Sequence, residues 1–194
     1  MSTTKQAPRV VVLAGPNGAG KTMVSRELVW EQLGIRCFVN ADTIARGLAG
    51  FAPESAALAA GRVMLHRLKE LAEAKVDFAF ETNLATRSLA PWLATLRESG
   101  YRLLLAFLWL PDADLAIARV RKRVDEGGHH VPDDVVRRRY ERGLANLRST
   151  FLPMADGVWL FDSSRYPPRL VASGDHRNLI EGDADIVRRI LHER

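Results

Sequence analysis

The stretch "VVVLAGPNGAGKTMVS", residues 10–25, constrains this chain more than any other. A continuous apolar, β-branched run stops at Gly15, and Lys21 and Thr22 follow a glycine-rich turn. Gly15, Pro16, Asn17, Gly18, Ala19, Gly20, Lys21 and Thr22 match G-x-x-x-x-G-K-[ST] in full. Glycines let successive backbone N–H groups curl around a β-phosphate without Cβ clashes. Lys21 is then placed to reach the β- and γ-phosphates of ATP, and the Thr22 hydroxyl to ligate Mg²⁺. The N-terminus of the following helix adds partial positive charge. On this loop alone a motor, a switch and a kinase all stay open.

The rest of the chain alternates in kind. Segments 10–14, 36–39, 76–80, 102–110 and 158–161 read as strands. Their continuous apolar character fits strands buried on both faces, as in a parallel sheet. Helical patterns fall at 21–33, 43–49, 53–74, 86–99, 112–126, 133–149 and 183–192. Met64, Leu68 and Leu71 line one stripe, and Gly100 and the Gly127–Gly128 pair are stop signals. Alternation of this kind predicts an α/β P-loop kinase fold, a parallel sheet of about five strands sandwiched by helices. A length of 194 residues favours one domain, 1–194. The tail 165–183, rich in Pro, Gly, Ser and charge, reads as loop before a last helix.

Composition excludes little but is consistent. Hydrophobic content of 47% and charged content of 26% suit an ordinary soluble globule. No apolar run approaches the roughly 20 residues of a membrane span. The start, "MSTTKQAPR", carries no apolar export core, so the expected location is the cytoplasm. The single cysteine, Cys37, sits beside Phe38 and Val39 and reads as a core thiol. Net charge is +5, and the arginines cluster at 119, 121 and 123, then at 137, 138, 139 and 142. Clusters of this kind bind nucleic acid or a small phosphorylated ligand. No aromatic residues interleave with them, which argues against single-stranded nucleic acid.

Beyond the loop, "NADTIA" places Asp42 at or just past a strand end, where open α/β sheets bind ligands. A carboxylate there suits a general base for an attacking hydroxyl, or else a helix N-cap. "FETNL" puts Glu81 directly after an apolar strand, with Thr82 and Asn83 as neutral donors and acceptors. Glu81 suits a contact to a substrate hydroxyl or the ordering of Mg²⁺; Thr82 and Asn83 also suit helix caps. Residues 119–147 form two arginine-rich helices around "GGHHVP", a candidate lid. On the second, Val136, Tyr140, Leu144 and Leu147 share a packing stripe that leaves Arg138, Arg139 and Arg142 elsewhere. Guanidinium groups of a lid would stabilise charge on a transferred phosphoryl group and exclude water. His129 and His130 read as shaping the turn. Asp162, Ser163 and Ser164 end the fifth strand, more a turn than an adenine contact.

The loop is also similar to that of ABC transporters. Yet there is no LSGGQ-like segment, and in "LWLPD" a proline precedes Asp112, with the next acid only at Asp114. In order, "GPNGAGKT", "NADTIA", "FAFETNL" and "RVDEGGHHVPDDVVRRRYERGLANL" resemble the zeta toxin family of P-loop kinases, over roughly residues 8 to 165. The resemblance implies transfer of the ATP γ-phosphate to a hydroxyl of a UDP-activated amino sugar. In that family this is typically the 3′-hydroxyl of UDP-N-acetylglucosamine, and the product starves peptidoglycan synthesis. It implies Lys21 and Thr22 as Walker residues and Asp42 as catalytic base. Glu81 and Asn83 fall near the sugar-contacting acid and hydroxyl; the longer toxins carry Glu-Gly-Thr there, so Asn83 replaces a threonine. Arg123, Arg138 and Arg139 are the candidate phosphate clamps. Larger family members pair with a small antitoxin that blocks the ATP site, a possible protein partner here. A kinase for another hydroxyl (an antibiotic, nucleoside or polynucleotide end) and a nucleotide-binding regulatory module remain the competing readings.

Overall fold

The computed structural model describes residues 6–128 and 130–192. Residues 1–5, which begin the stretch read against export, and His129 lie outside them. In chain order the elements are β1 (Arg9–Ala14), α1 (Lys21–Val24), β2 (Cys37–Val39), α2 (Ala41–Leu48), α3 (Ala57–Glu73), β3 (Phe78–Thr82) and α4 (Ala90–Glu98). Then follow β4 (Arg102–Trp109), α5 (Ala113–Asp125), α6 (Asp133–Asn146), α7 (Leu152–Met154), β5 (Gly157–Asp162), β6 (Arg169–Gly174), β7 (Leu179–Glu181) and α8 (Ala184–Leu191). π-helical stretches extend α1 through Ser25–Gln32 and α6 through Leu147–Phe151, and a 3₁₀ turn, Pro53–Ala56, leads into α3.

Among the described residues the sheet has the order β2-β3-β1-β4-β5-β6-β7. The first five of these pair in parallel. Val10, Val12 and Ala14 of β1 face a core built with Met64 and Leu68 of α3, Leu93 of α4 and Phe151. Val11 and Leu13 face the opposite layer, with Val29, Leu28, Ile117 and Val120. Both faces are covered, so β1 is a continuous apolar run rather than an alternating one. Residues 10–14 are at most 1% exposed. The connection leaving β1 runs toward β2, whereas the one leaving its neighbour β3 crosses to β4. That reversal opens a crevice at the strands' C-terminal ends, where ligands bind in such sheets.

Four sequence expectations need correcting. The tail 165–183 is not a loop: it holds β6 and β7, which add antiparallel to β5 and make the sheet mixed and seven-stranded. Only Val171 and Ala172 of β6 are buried, and the side chain of Asp175 accepts from the N–H groups of Arg177 and Asn178 to close the turn. A strand with one short buried stretch leaves little apolar pattern to read. The strand expected at 76–80 runs Phe78–Thr82, so Glu81 and Thr82 lie within it. The helix expected from 86 begins only at Ala90, because Leu84 adopts a positive φ of 56° and sends the chain through a loop. Cys37 is half-buried, packed beside the main core rather than inside it. Among the described residues no helix is long and apolar enough to cross a membrane.

Helix α6 is pinned to the sheet by Tyr140, whose hydroxyl donates to the Leu110 carbonyl at 2.8 Å. Burial, and then the nearby Asp112 carboxylate, push this phenol up from 10.0 to about 12. The folded state therefore holds the proton where the unfolded chain would release it. The stabilisation is complete below pH 10.0 and is lost as pH rises through about 12. We expect Tyr140→Phe to cost about 1 kcal/mol at neutral pH and to remove this alkaline decline. Denaturant unfolding at stepped pH checks both.

Candidate active site

The glycine loop spans from the end of β1 to the start of α1 at the crevice. Gly15 has φ 147°, and a Cβ there would collide with the Leu108 carbonyl of β4. Gly18 has φ 77°, and its Cβ would press on the Ala116 carbonyl and the Arg119 Cβ at 3.0 Å. Only glycine fits either position. The Asn17 Oδ1 is buried with no hydrogen-bond partner among the described residues.

Lys21 opens α1 and is buried, 7% exposed. Its Nζ donates to the carbonyls of Gly15 at 2.8 Å and Pro16 at 2.9 Å, and lies 3.7 Å from Glu81 Oε1. Burial lowers its pKa below the usual lysine value; the charges of Glu81 and Asp42 oppose the shift, and that of Arg123 adds to it. Asp42 and Arg123 therefore both stand within electrostatic reach of the loop lysine.

Glu81 gathers the site. Its Oε2 accepts from the Thr22 hydroxyl at 3.0 Å and from Asn40 Nδ2 at 2.7 Å. Asn40 does two things at once, because its Oδ1 also caps α2 by accepting from the Thr43 N–H at 3.1 Å. Asp42 is thus not the helix cap; it sits exposed in the first turn of α2, facing water with its carboxylate uncommitted to capping. The Thr22 hydroxyl beside the Glu81 carboxylate is a hard-oxygen pair that suits Mg²⁺, which prefers one or two protein oxygens plus phosphates and waters. Among the described residues no cluster of three or more His, Cys, Asp or Glu could hold a metal by itself, so the fit rests on a phosphate-bearing ligand.

The remaining candidates divide. Thr82 Oγ1 accepts from the Leu84 N–H and Asn83 Oδ1 from the Ala85 N–H, so both oxygens shape their own loop rather than cap a helix. Arg138 is exposed, 4.0 Å from Asp134 one turn back. Arg139 is half-buried on the stripe of α6 that also carries Gly143 and Asn146. Arg121 and Arg137 are engaged in ion pairs with Asp133 and Asp114 that tie α5 to α6.

Three residues hold the site in roles not read from the sequence: Asn40, Arg119, noted there only as a member of the arginine cluster, and Ser163, read there as a turn rather than an adenine contact. Arg119 donates to the carbonyls of Ser163 at 2.7 Å, Ser164 at 2.8 Å and, at the long limit of 3.4 Å, Gly18. Ser163, 2% exposed, donates its hydroxyl to the Ala19 carbonyl at 2.6 Å. These donors tie the Gly18 and Ala19 carbonyls of the loop to α5 and to the end of β5, bracing the loop from its flank. The signal was present in "NADT" as an Asx cap and in "FDSS" at a strand end, but a cap and a turn are commoner than a brace.

A P-loop at the head of a parallel sheet, with helices on both faces, defines the P-loop nucleotide-binding kinase fold. Residues 10–149 match the AAA domain family, and the chain belongs to it. An uncharacterised protein of Haemophilus influenzae is 25% identical over 132 residues, covering 68% of this chain and 92% of that protein. A chain of the PezAT chromosomal toxin–antitoxin system of Streptococcus pneumoniae superposes with a TM-score of 0.70 at 17% identity, covering 100% of this chain and 81% of that one. A chain of the AvrRxo1-ORF1:AvrRxo1-ORF2 complex gives a TM-score of 0.75 at 17% identity, covering 98% of this chain and 65% of that one. A kinase-like protein of Chloroflexus aurantiacus gives 0.62 at 16% identity, covering 84% and 88%. These likenesses support the same P-loop nucleotide-binding kinase fold.

The double use of Asn40 gives a test. Asn40→Ala removes a cap and a donor to Glu81, and should lower stability by about 1–2 kcal/mol. Asn40→Asp keeps the cap yet sets a second carboxylate against Glu81. It should remain destabilised at neutral pH and recover part of the loss as acid protonates the pair, read by denaturant unfolding at pH 7 and in the carboxylate range.

Proposed function

We propose that the protein is an ATP-dependent phosphotransferase acting on an alcohol group of a small molecule, with a UDP-activated amino sugar of the UDP-N-acetylglucosamine type as acceptor. One observation carries the reading: the Glu81 carboxylate meets Thr22, Asn40 and Lys21 at the crevice, with Asp42 close enough to act on the lysine. A bare nucleotide switch has no need of two further carboxylates there. The resemblance in "NADTIA", "FETNL" and the arginine-rich stretch supports the sugar.

In this reading the loop N–H groups and Lys21 hold the β- and γ-phosphates. Mg²⁺, held by Thr22 with the Glu81 carboxylate beside it, would neutralise phosphate charge. Glu81, with Thr82 and Asn83, orients the acceptor hydroxyl. Asp42 takes the hydroxyl proton as the oxygen attacks the γ-phosphorus, and ADP leaves with the electron pair of the broken P–O bond. Arg123 and Arg139 stabilise the charge spread over the transferred group, while Arg138 is exposed beside Asp134. A product of this kind would interfere with cell-wall precursor synthesis, in the cytoplasm. An antitoxin-like protein covering the ATP site belongs to the same reading, supported by the toxin–antitoxin system among the similar structures.

The deciding experiment follows ADP formation from ATP and Mg²⁺ with and without UDP-N-acetylglucosamine, with mass spectrometry of the sugar. Stimulation and a sugar mass gain of one phosphoryl group are expected. No response to any UDP-sugar sinks the substrate assignment, and stimulation by single-stranded nucleic acid instead would assign the arginines to a polynucleotide. Lys21→Ala should abolish transfer. Asp42→Asn should lower turnover by about 10²-fold or more while ATP still binds; near-normal turnover would remove Asp42 from the chemistry. For the arginines, Arg139→Ala should cost about 10²-fold in kcat, while Arg138→Ala stays within about threefold.

A further inference from the structure

The loop that follows Glu81 is held from outside the phosphate site. Asn146 of α6 is 8% exposed, and both ends of its amide are engaged. Its Nδ2 donates to the Leu84 carbonyl at 2.7 Å, and its Oδ1 accepts from Arg87 Nε at 2.8 Å. Arg87 also donates from Nη2 to the Ser149 hydroxyl at 3.1 Å, one helical turn further on. Beside this strut Gly143 brings the helix backbone against the loop: a Cβ at Gly143 would stand 2.5 Å from the Asn83 carbonyl. Leu84, between the two contacts, is 2% exposed and holds φ 56°, a conformation that leucine rarely adopts unless its surroundings impose it.

We propose that Asn146 and Arg87 are positioning residues for the acceptor, fixing the loop of Thr82 and Asn83 to the arginine-rich helix so that the two halves of the site keep one spacing. The inference rests on the kinase reading above. Helical spacing places Arg139, Gly143 and Asn146 on one stripe of α6. The face that grips the loop is therefore the face from which the Arg139 side chain starts. An acceptor seated on residues 81–83 and a γ-phosphoryl group approached by Arg139 would be referenced to the same rigid element. In-line transfer depends on that spacing, since a misplacement of about 1 Å costs about 10²-fold. The strut also bears on the candidate lid 119–147. The C-terminal half of α6 is fastened by Tyr140 to the segment after β4 and by Asn146 and Gly143 to the loop after β3, so it serves as a fixed wall of the site.

The test uses the full chain with Asn146→Ala, Arg87→Ala and the double variant. Arg87 is exposed, so its truncation leaves the core intact should Asn146→Ala fail to fold. Four quantities are measured: the Kd for ATP, KM and kcat for UDP-N-acetylglucosamine, and amide hydrogen exchange. Each single variant should raise the acceptor KM and lower kcat, each by about tenfold, and leave the ATP Kd within about twofold. The double variant should be no worse than the worse single one, because the two residues act as a unit. Exchange in residues 82–88 should quicken by about tenfold, with β1 and β4 unchanged. Unchanged exchange in 82–88, or an ATP Kd that rises in parallel with KM, overturns the proposal. If the wild-type protein ignores UDP-N-acetylglucosamine, the substrate assignment alone has failed. The exchange pattern and ATP Kd of the variants then decide the strut.

Discussion

The register between β1 and β3 governs the site. Leu13 lies opposite Glu81 and Ala14 opposite Thr82, so the parallel pairing delivers a carboxylate to the mouth of the glycine loop. Side chains alternate along a strand, and a slip of one residue would turn Glu81 to the other face of the sheet. Thr22 and Asn40 would then lose their common acceptor, and the buried Lys21 its nearest anion. The apolar residues Phe78 and Phe80 lock that register by filling the core below. Packing of the sheet and placement of the chemistry are one constraint.

That constraint leaves Lys21 in a costly setting. A buried ammonium held by two carbonyls and one carboxylate is less well solvated than in water, which is why its proton is held less tightly than usual. Phosphate oxygens would supply the missing negative charge. The loop thus keeps a cation whose best partner is a ligand, as expected where binding rather than stability has shaped the residue.

How much was legible follows from how local each signal is. The glycine loop is written in consecutive residues, and the buried strands in runs of apolar ones, so both could be read directly. Glu81 and Asp42 were legible as polar residues at strand ends. Asn40 was hidden because its role joins two elements: a cap for α2 and a donor to β3, of which only the first has a local signature. The bracing roles of Arg119, Ser163 and Asn146 were hidden for the same reason, with partners many residues away in sequence. In the arginine cluster, composition could not rank the members. Position does, since Arg121 and Arg137 face acids on the neighbouring helix, Arg119 braces the loop and Arg139 sits on the gripping stripe. The β6–β7 tail escaped because turn-forming residues outnumber its few buried ones.

The same tail has a bearing on how the protein behaves in a crowded solution. Both outer margins of the sheet are strands of three residues, Cys37–Val39 on one side and Leu179–Glu181 on the other. Unpaired backbone at a sheet margin is a template for pairing with another chain, and short margins offer little of it. Without β6 and β7 the margin would be β5, six residues carrying Trp159 and Phe161. The hairpin therefore acts as a guard against aggregation for a sheet whose interior strands are almost wholly apolar.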